Sequence, residues 1–363
     1  MNNRKKSHLI KVILIISVIL VIFSIFLKSA LFEREKISYS KIEIIAEDLE
    51  IPWEIKFLPD GEMLITERGG SLLRIGKDKN VIIIEGVRHI GEGGLLGLAI
   101  HPDFISNNWI YLYFTSDISG KIENRVERYK LDLNKNMIED RKEIISGIPG
   151  AAFHDGGRIM FGPDGYLYIT TGDATNEELS QDVSSLAGKI LRVDQNGNIP
   201  PDNPFENAVY SHGHRNSQGI AWDGEGRLWA TEHGRSGAQS GLDELNLIEK
   251  GRNYGWPVIE GSEAKEQMES PIIQSGADKT WAPAGAVFFN GSIFFAGLRG
   301  EALYKYDLKE KSLTEYFKNE FGRLRAVALH DNFIYLSTSN KDGRGTIRER
   351  DDKIIRISAE LFS

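Results

Sequence analysis

The chain of 363 residues contains no cysteine. Disulfides, thiolate metal sites, a cysteine nucleophile and a cysteine-linked lipid anchor are therefore all excluded. Positive charge is not in excess: 44 Lys and Arg stand against 52 Asp and Glu, for a net charge of −8. That balance argues against a nucleic-acid partner. Apolar patterning at helix period is nearly absent after the first 30 residues, which disfavours βαβ folds. What is abundant is glycine, at 37 residues, together with 17 Phe, 12 Tyr and 6 Trp. This combination leans towards strands joined by turns.

One long hydrophobic run is present. Arg4, Lys5 and Lys6 precede Leu9–Leu27, which is apolar apart from Lys11 and two serines. A run of that length can cross a bilayer as a helix, and a basic flank keeps the N-terminus inside. No small-x-small cleavage motif follows, so residues 1–30 are expected to be an uncleaved membrane anchor rather than a signal peptide. Residues 31–40 read as a polar linker. The remainder is expected outside the cytoplasm, tethered to the cell membrane, or secreted if the segment is cleaved.

From residue 41 onwards one pattern recurs. An apolar pair leads into a turn of Pro, Asp, Gly or Asn, then an alternating strand, then a polar ending. It appears near Phe57, His101, Phe161, Trp222, Phe289 and His330. Six copies at roughly 50 residues each match the blade size of a propeller. Ser71–Arg74, Val126–Leu131, Lys189–Val193, Ala302–Tyr306 and Lys353–Ile357 read as partner strands. Ile42–Ala46 is expected to pair with Lys353–Ile357 and close the ring, removing two exposed edges. The prediction is thus an all-β, six-bladed β-propeller of four-stranded antiparallel sheets over residues 41–363. The polar endings Glu67-Arg68, Asp117, Asp173, Glu232-His233, Arg299 and Asn340 are expected on one face, around the central channel. The loops Asp194–Ser211, Ser236–Gln239 and Glu260–Asp278 are candidate carriers of function.

The third copy is the most informative. In Phe153–Asp173, Arg158–Phe161 and Tyr166–Thr170 form a hairpin about Gly162–Gly165. A hairpin begins and ends near one point, so His154 and Asp173 can reach the same rim. Histidine beside a carboxylate is the minimum equipment of a general base. The same residues could equally be a strand cap and a turn. Arg323 and Arg325 alternate on a strand and face one way, as a surface pair or a ligand clamp. His212 and His214 alternate too, but the neighbouring Arg215 disfavours a zinc site.

Six ordered segments then carry a resemblance: Gly91–Phe104, His154–Asp173, Leu186–Phe205, Gly213–Asp223, Asp243–Pro257 and Gly322–Val327. Together they resemble the soluble pyrroloquinoline quinone (PQQ)-dependent aldose sugar dehydrogenases, the glucose/sorbosone dehydrogenase group. The resemblance runs from about Ile51 to the C-terminus and implies a six-bladed propeller. It implies oxidation of an aldose at C1 to the lactone, with PQQ and Ca²⁺ as cofactors. It implies His154 as catalytic base, oriented by Asp173. Arg215 and Asn216 would contact quinone and substrate, and Arg323 and Arg325 would bind the cofactor. Glu92 stands where the family usually has Gln, and Arg299 near a usual Lys. Gly234 and Arg235 would offer backbone carbonyls to a calcium ion, and Glu244 and Tyr254 a second, structural one.

The chemistry suits these residue types. A cofactor with three carboxylates calls for arginines. A carboxylate at Glu92 beside such an anion costs affinity unless protonated or paired. Two other classes fit the pattern less well. A lactonase-type propeller hydrolase needs several carboxylates converging on calcium, and a non-catalytic binding propeller needs none of the site residues. The implied partners are an aldose and an external electron acceptor; no motif specifies that acceptor or an oligomeric state.

Overall fold

A computed structural model describes residues 41–237 and 240–362. Leu9–Leu27 lies outside them; among the described residues no helix is long and apolar enough to cross a membrane.

The strands fall into six four-stranded antiparallel sheets. Blade one is Pro52–Phe57, Met63–Glu67, Ser71–Ile75 and Lys79–Ile83, from the centre outwards. The other innermost strands are Leu95–Ile100, Ile159–Phe161, Ser217–Trp222, Pro283–Phe289 and Leu324–His330. All six recurring hairpins of the sequence are the two inner strands of a blade. Alternation with a tight turn is sufficient to form such a pair. At the third, Gly162 N–H donates to Tyr166 O at 2.8 Å, closing the turn between Ile159–Phe161 and Leu167–Thr170. Ring closure is as expected: Ile42–Ala46 is the outermost strand of blade six, with Ile42 opposite Ile357 and Ile44 opposite Ile355.

Apolar side chains pack between neighbouring blades. Tyr111 and Tyr113 of blade two, both fully buried, sit with Ile159 and Ile169 of blade three. Each such burial contributes roughly 1.5–3 kcal/mol against solvation. The centre of the ring is polar instead. Arg158 donates to Glu54, and through Nε to Gln218 O at 2.9 Å, with its guanidinium carbon 4.1 Å over Trp53. This pair of buried charges is matched and hydrogen-bonded, as burial requires. It sits beneath Gln218 and Arg325, which line the central cavity.

Two expectations are corrected. Asp117 is not at the channel. Its strand, Trp109–Ile118, runs on into a long hairpin, and Asp117 is exposed there, accepting Gly120 N–H at 2.7 Å. The loop Asp194–Ser211 leaves the opposite end of blade three, where Arg192 meets Asp164 of the hairpin turn and Asp202 of the loop itself. It pairs with structural arginines and none of its residues lines the cavity.

Candidate active site

The starts of the innermost strands and the ends of their neighbours open at one mouth. There a cavity of ≈ 470 Å³ is lined by residues from blades two to six. His154 reaches it from the loop before Ile159. The residue sits in the left-handed region, φ 62°, and its carbonyl lies where a side chain on Gly172 would be, 1.9 Å from an ideal Cβ. Only glycine lets the two segments approach so closely. Gly156, φ 64°, serves the same fit, its ideal Cβ falling 2.6 Å from Thr171 Cα.

His154 Nδ1 is 2.7 Å from Asp173 Oδ1. A carboxylate can only accept, so Nδ1 carries the proton and Nε2 is the free base. Asp173 is fully engaged in holding that geometry. Oδ1 also accepts Thr175 N–H at 2.8 Å, and Oδ2 accepts Trp256 Nε1–H at 3.0 Å. The Trp256 ring lies 5.3 Å from the Arg215 guanidinium carbon. Asp173, Glu177 and Trp256 extend the site into an adjoining groove of ≈ 370 Å³, which His154 and Arg215 also border.

The cavity wall is cationic. Arg215, Arg299, Arg323, Arg325 and Arg344 all line it. Arg323 and Arg325 are buried rather than on the surface, 6% and 4% exposed. Arg323 donates from Nε and Nη2 to Asp342 Oδ2 at 3.0 and 2.7 Å, while Arg325 reaches Ser339 Oγ at 3.2 Å and Gln218 Oε1 at 3.3 Å. Burial, then the charge of Arg68, pulls Arg325 down to about 9. Burial likewise lowers Arg215, whose Nε has no partner among the described residues. His233 lines the cavity as well; burial lowers it to about 4, and its Nε2 is also unpartnered among the described residues. Buried cations and donors left unmet are costly until an anion arrives.

The carboxylates of this cavity are committed elsewhere. Asp243 accepts Gly234 N–H, Thr280 Oγ–H and the amides of Trp281 and Ala282. Glu92 accepts from Arg344 Nη1 and, at 3.3 Å, from the His154 amide. Burial alone would raise Glu92, but Arg344, His233 and these hydrogen bonds outweigh it and hold the carboxyl at about 2. Glu92 is thus ionised and paired.

Below the mouth, Gly234 and Arg235 separate the cavity from a smaller one of ≈ 20 Å³, bordered also by Glu232, Glu244, Tyr254 and Glu260. Glu232 and Glu244 are directly opposite on paired strands. Burial and then the Glu232 charge push Glu244 up to about 8. Glu244 pairs with neither Lys250 nor Arg252; its oxygens accept Asn246 Nδ2–H and Gly261 N–H. The Tyr254 hydroxyl is spent on Leu247 O, 2.6 Å away, and its ring stacks on His214. His214 in turn meets Glu232 and Ser211, so the His212–His214 pair forms no metal site. No group of three or more His, Asp or Glu poised for a metal occurs among the described residues.

The family model for glucose/sorbosone dehydrogenase matches residues 49–354. The chain belongs to the glucose/sorbosone dehydrogenase family. It is 35% identical to the aldose sugar dehydrogenase YliI of Escherichia coli, over 83% of this chain and 91% of that one. It is 33% identical to the quinoprotein glucose dehydrogenase B of Acinetobacter calcoaceticus, over 70% and 61%. The PQQ-bound aldose sugar dehydrogenase of Streptomyces coelicolor superposes with a TM-score of 0.81 at 38% identity, over 87% and 97%.

In this sugar dehydrogenase, Glu92, His154, Arg215, Asn216, Gly234, Arg235, Arg299, Arg323 and Arg325 converge on one cavity. Asp173 stands behind His154, and Glu244 and Tyr254 belong to the smaller cavity. Asn216 spends its side-chain oxygen on Gly156 N–H at 3.0 Å, bracing the His154 loop. Sequence reasoning does not find Trp256, Gln218, Asp342 or Arg344 as site residues, and it places His233 only among the polar strand ends around the channel. Gln218 lies in the strand Ser217–Trp222, Trp256 in the loop after Glu244–Ile248, and Asp342 and Arg344 share the loop after Phe333–Thr338, with no local periodicity to mark any of them. For Trp256 a signal exists: it lies within Asp243–Pro257, one of the segments that carry the resemblance.

Proposed function

We propose that the protein oxidises aldose sugars at C1 to the lactone, using bound PQQ, with His154 as general base. The observation that carries this reading is a His–Asp pair opening into an arginine-walled cavity. The donor set fits the cofactor: Arg215, Arg299, Arg323 and Arg325 suit its carboxylates and quinone oxygens, and Arg215 Nε–H has no acceptor among the described residues. When bound, the quinone would supply the hydride acceptor.

The chain supplies the rest. His154 Nε2 takes the proton of the C1 hydroxyl as hydride departs from C1, leaving a C=O bond. Asp173 stabilises the resulting imidazolium. Arg215, on the cavity wall, would stabilise negative charge on an acceptor held there. For calcium, the Glu244 carboxyl and the backbone carbonyls of Gly234 and Arg235 are oxygen donors of the right kind, whereas Glu232 is already spent on His214 and the Arg215 amide. Gly234 and Arg235 would hold one ion by their carbonyls, and Glu244 with Tyr254 a structural one. A hydrolase is disfavoured because Asp243 and Glu92 are already engaged.

The test is reconstitution. Protein purified without cofactor should reduce dye with aldoses only after PQQ and calcium are both added. No uptake of PQQ would refute the reading.

We also propose that Leu9–Leu27 anchors the propeller outside the cytoplasm, on the strength of its length and basic flank. Protease treatment of intact cells should then release active propeller; protection until lysis would overturn this.

A further inference from the structure

Glu92 precedes the innermost strand of blade two, and Arg344 follows the second strand of blade six, 252 positions away. Their ion pair joins the two loops at the cavity mouth. The two Glu92 oxygens are used separately. One accepts the Arg344 guanidinium and the other the amide of His154. Arg344 is fixed at its backbone too, since its N–H donates to Asp342 Oδ1 at 3.0 Å, while Asp342 Oδ2 is gripped by Arg323. The same carboxylate therefore orients Arg323 and sets the path of the chain at Arg344.

We propose that Arg344, steered by Glu92 and Asp342, is an anion-binding residue of the cavity that contacts a carboxylate of the quinone. The inference rests on the proposed function above. A guanidinium has five N–H donors. Of these, only Nη1–H meets a protein acceptor among the described residues. The side chain is 52% exposed, lies over Phe153 with its guanidinium carbon 5.5 Å from the ring centroid, and lines the cavity alongside His154, Arg323 and Arg325. The pair carries no net charge, so Glu92 repels an anionic cofactor less than an unpaired carboxylate would. The pair is no ordinary surface bridge, because Glu92 is 18% exposed and holds the base-bearing loop with its other oxygen.

The experiment is a titration of calcium-supplemented protein with PQQ, for wild type, R344Q, R344K, E92Q and E92Q/R344Q, with thermal unfolding as a fold control. R344Q should weaken binding by about tenfold to a hundredfold, as expected for loss of a charge-assisted contact. R344K should recover part of the loss, because it keeps the charge but not the fork. R344Q should cost less in the E92Q background, where no unpaired carboxylate is left beside the ligand. Unchanged affinity in folded R344Q, with wild type binding normally, overturns the assignment of Arg344 alone. Equal costs in the two backgrounds overturn the role of Glu92. A wild type that takes up no PQQ overturns the proposed function, and this inference with it.

Discussion

Replacing His154 with glutamine should leave the fold and PQQ uptake intact and slow sugar-dependent quinone reduction by ~10²–10⁴, the usual contribution of a general base. The geometry sets this expectation. His154 is held by Asp173 through Nδ1, and its other nitrogen is free for the substrate. Its backbone amide, not its ring, is what Glu92 holds, so the loop should survive the change. Asp173→Asn is expected to be slower than wild type as well. An asparagine has one carbonyl oxygen for the two carboxylate positions: if it keeps Trp256, it turns an NH₂ towards both the Thr175 amide and Nδ1 and inverts the tautomer. Single-turnover rates in both variants check this. A near-normal rate in His154→Gln would remove the histidine from the chemistry.

The second large effect is expected at the paired arginines. Arg325→Ala should weaken PQQ binding by the ~1.5–3 kcal/mol of a charge-assisted hydrogen bond, about tenfold to a hundredfold in Kd. Arg325 is buried among Arg68 and Arg323, which disfavours its charge, so an anion placed against it gains from relieving that strain. Arg323→Ala should cost at least as much. Burial opposes ionisation of Asp342, yet Arg323 and Arg325 hold it below the usual carboxylate range. Without Arg323 that carboxylate stands less compensated beside an incoming anion. Calorimetric titration of each variant separates these cases. A change in melting temperature with unaltered PQQ affinity would make the arginine a structural residue.

The blades were legible because alternation and turn chemistry are local. Pro163-Asp164-Gly165 between two apolar runs specifies a hairpin whatever surrounds it. The fourth strand of blade four was not legible: Ile273–Gln274 is only two residues long and is defined by its partner Glu244–Ile248. The hairpin also announced His154 and Asp173, since both lie at its open end. Asp117 misled because its strand belongs to a longer hairpin that outruns the rim. The remaining site residues depend on pairs far apart in sequence. Nothing near Glu92 shows that Arg344 will neutralise it, and nothing near Asp173 shows that Trp256, 83 positions on, will donate to it. The packing of neighbouring blades creates the second encounter and the closed ring the first, and both are properties of the whole chain.

The central claim is that this cavity oxidises a sugar on a bound quinone. The most direct measurement loads the protein with PQQ and calcium, removes free quinone, excludes other oxidants and adds excess aldose while the absorbance of the bound quinone is followed. The account predicts reduction of the bound quinone, with lactone formed in equal amount, and the same loaded protein carrying His154→Gln lagging far behind. Bound quinone that stays oxidised with every aldose supplied would contradict it.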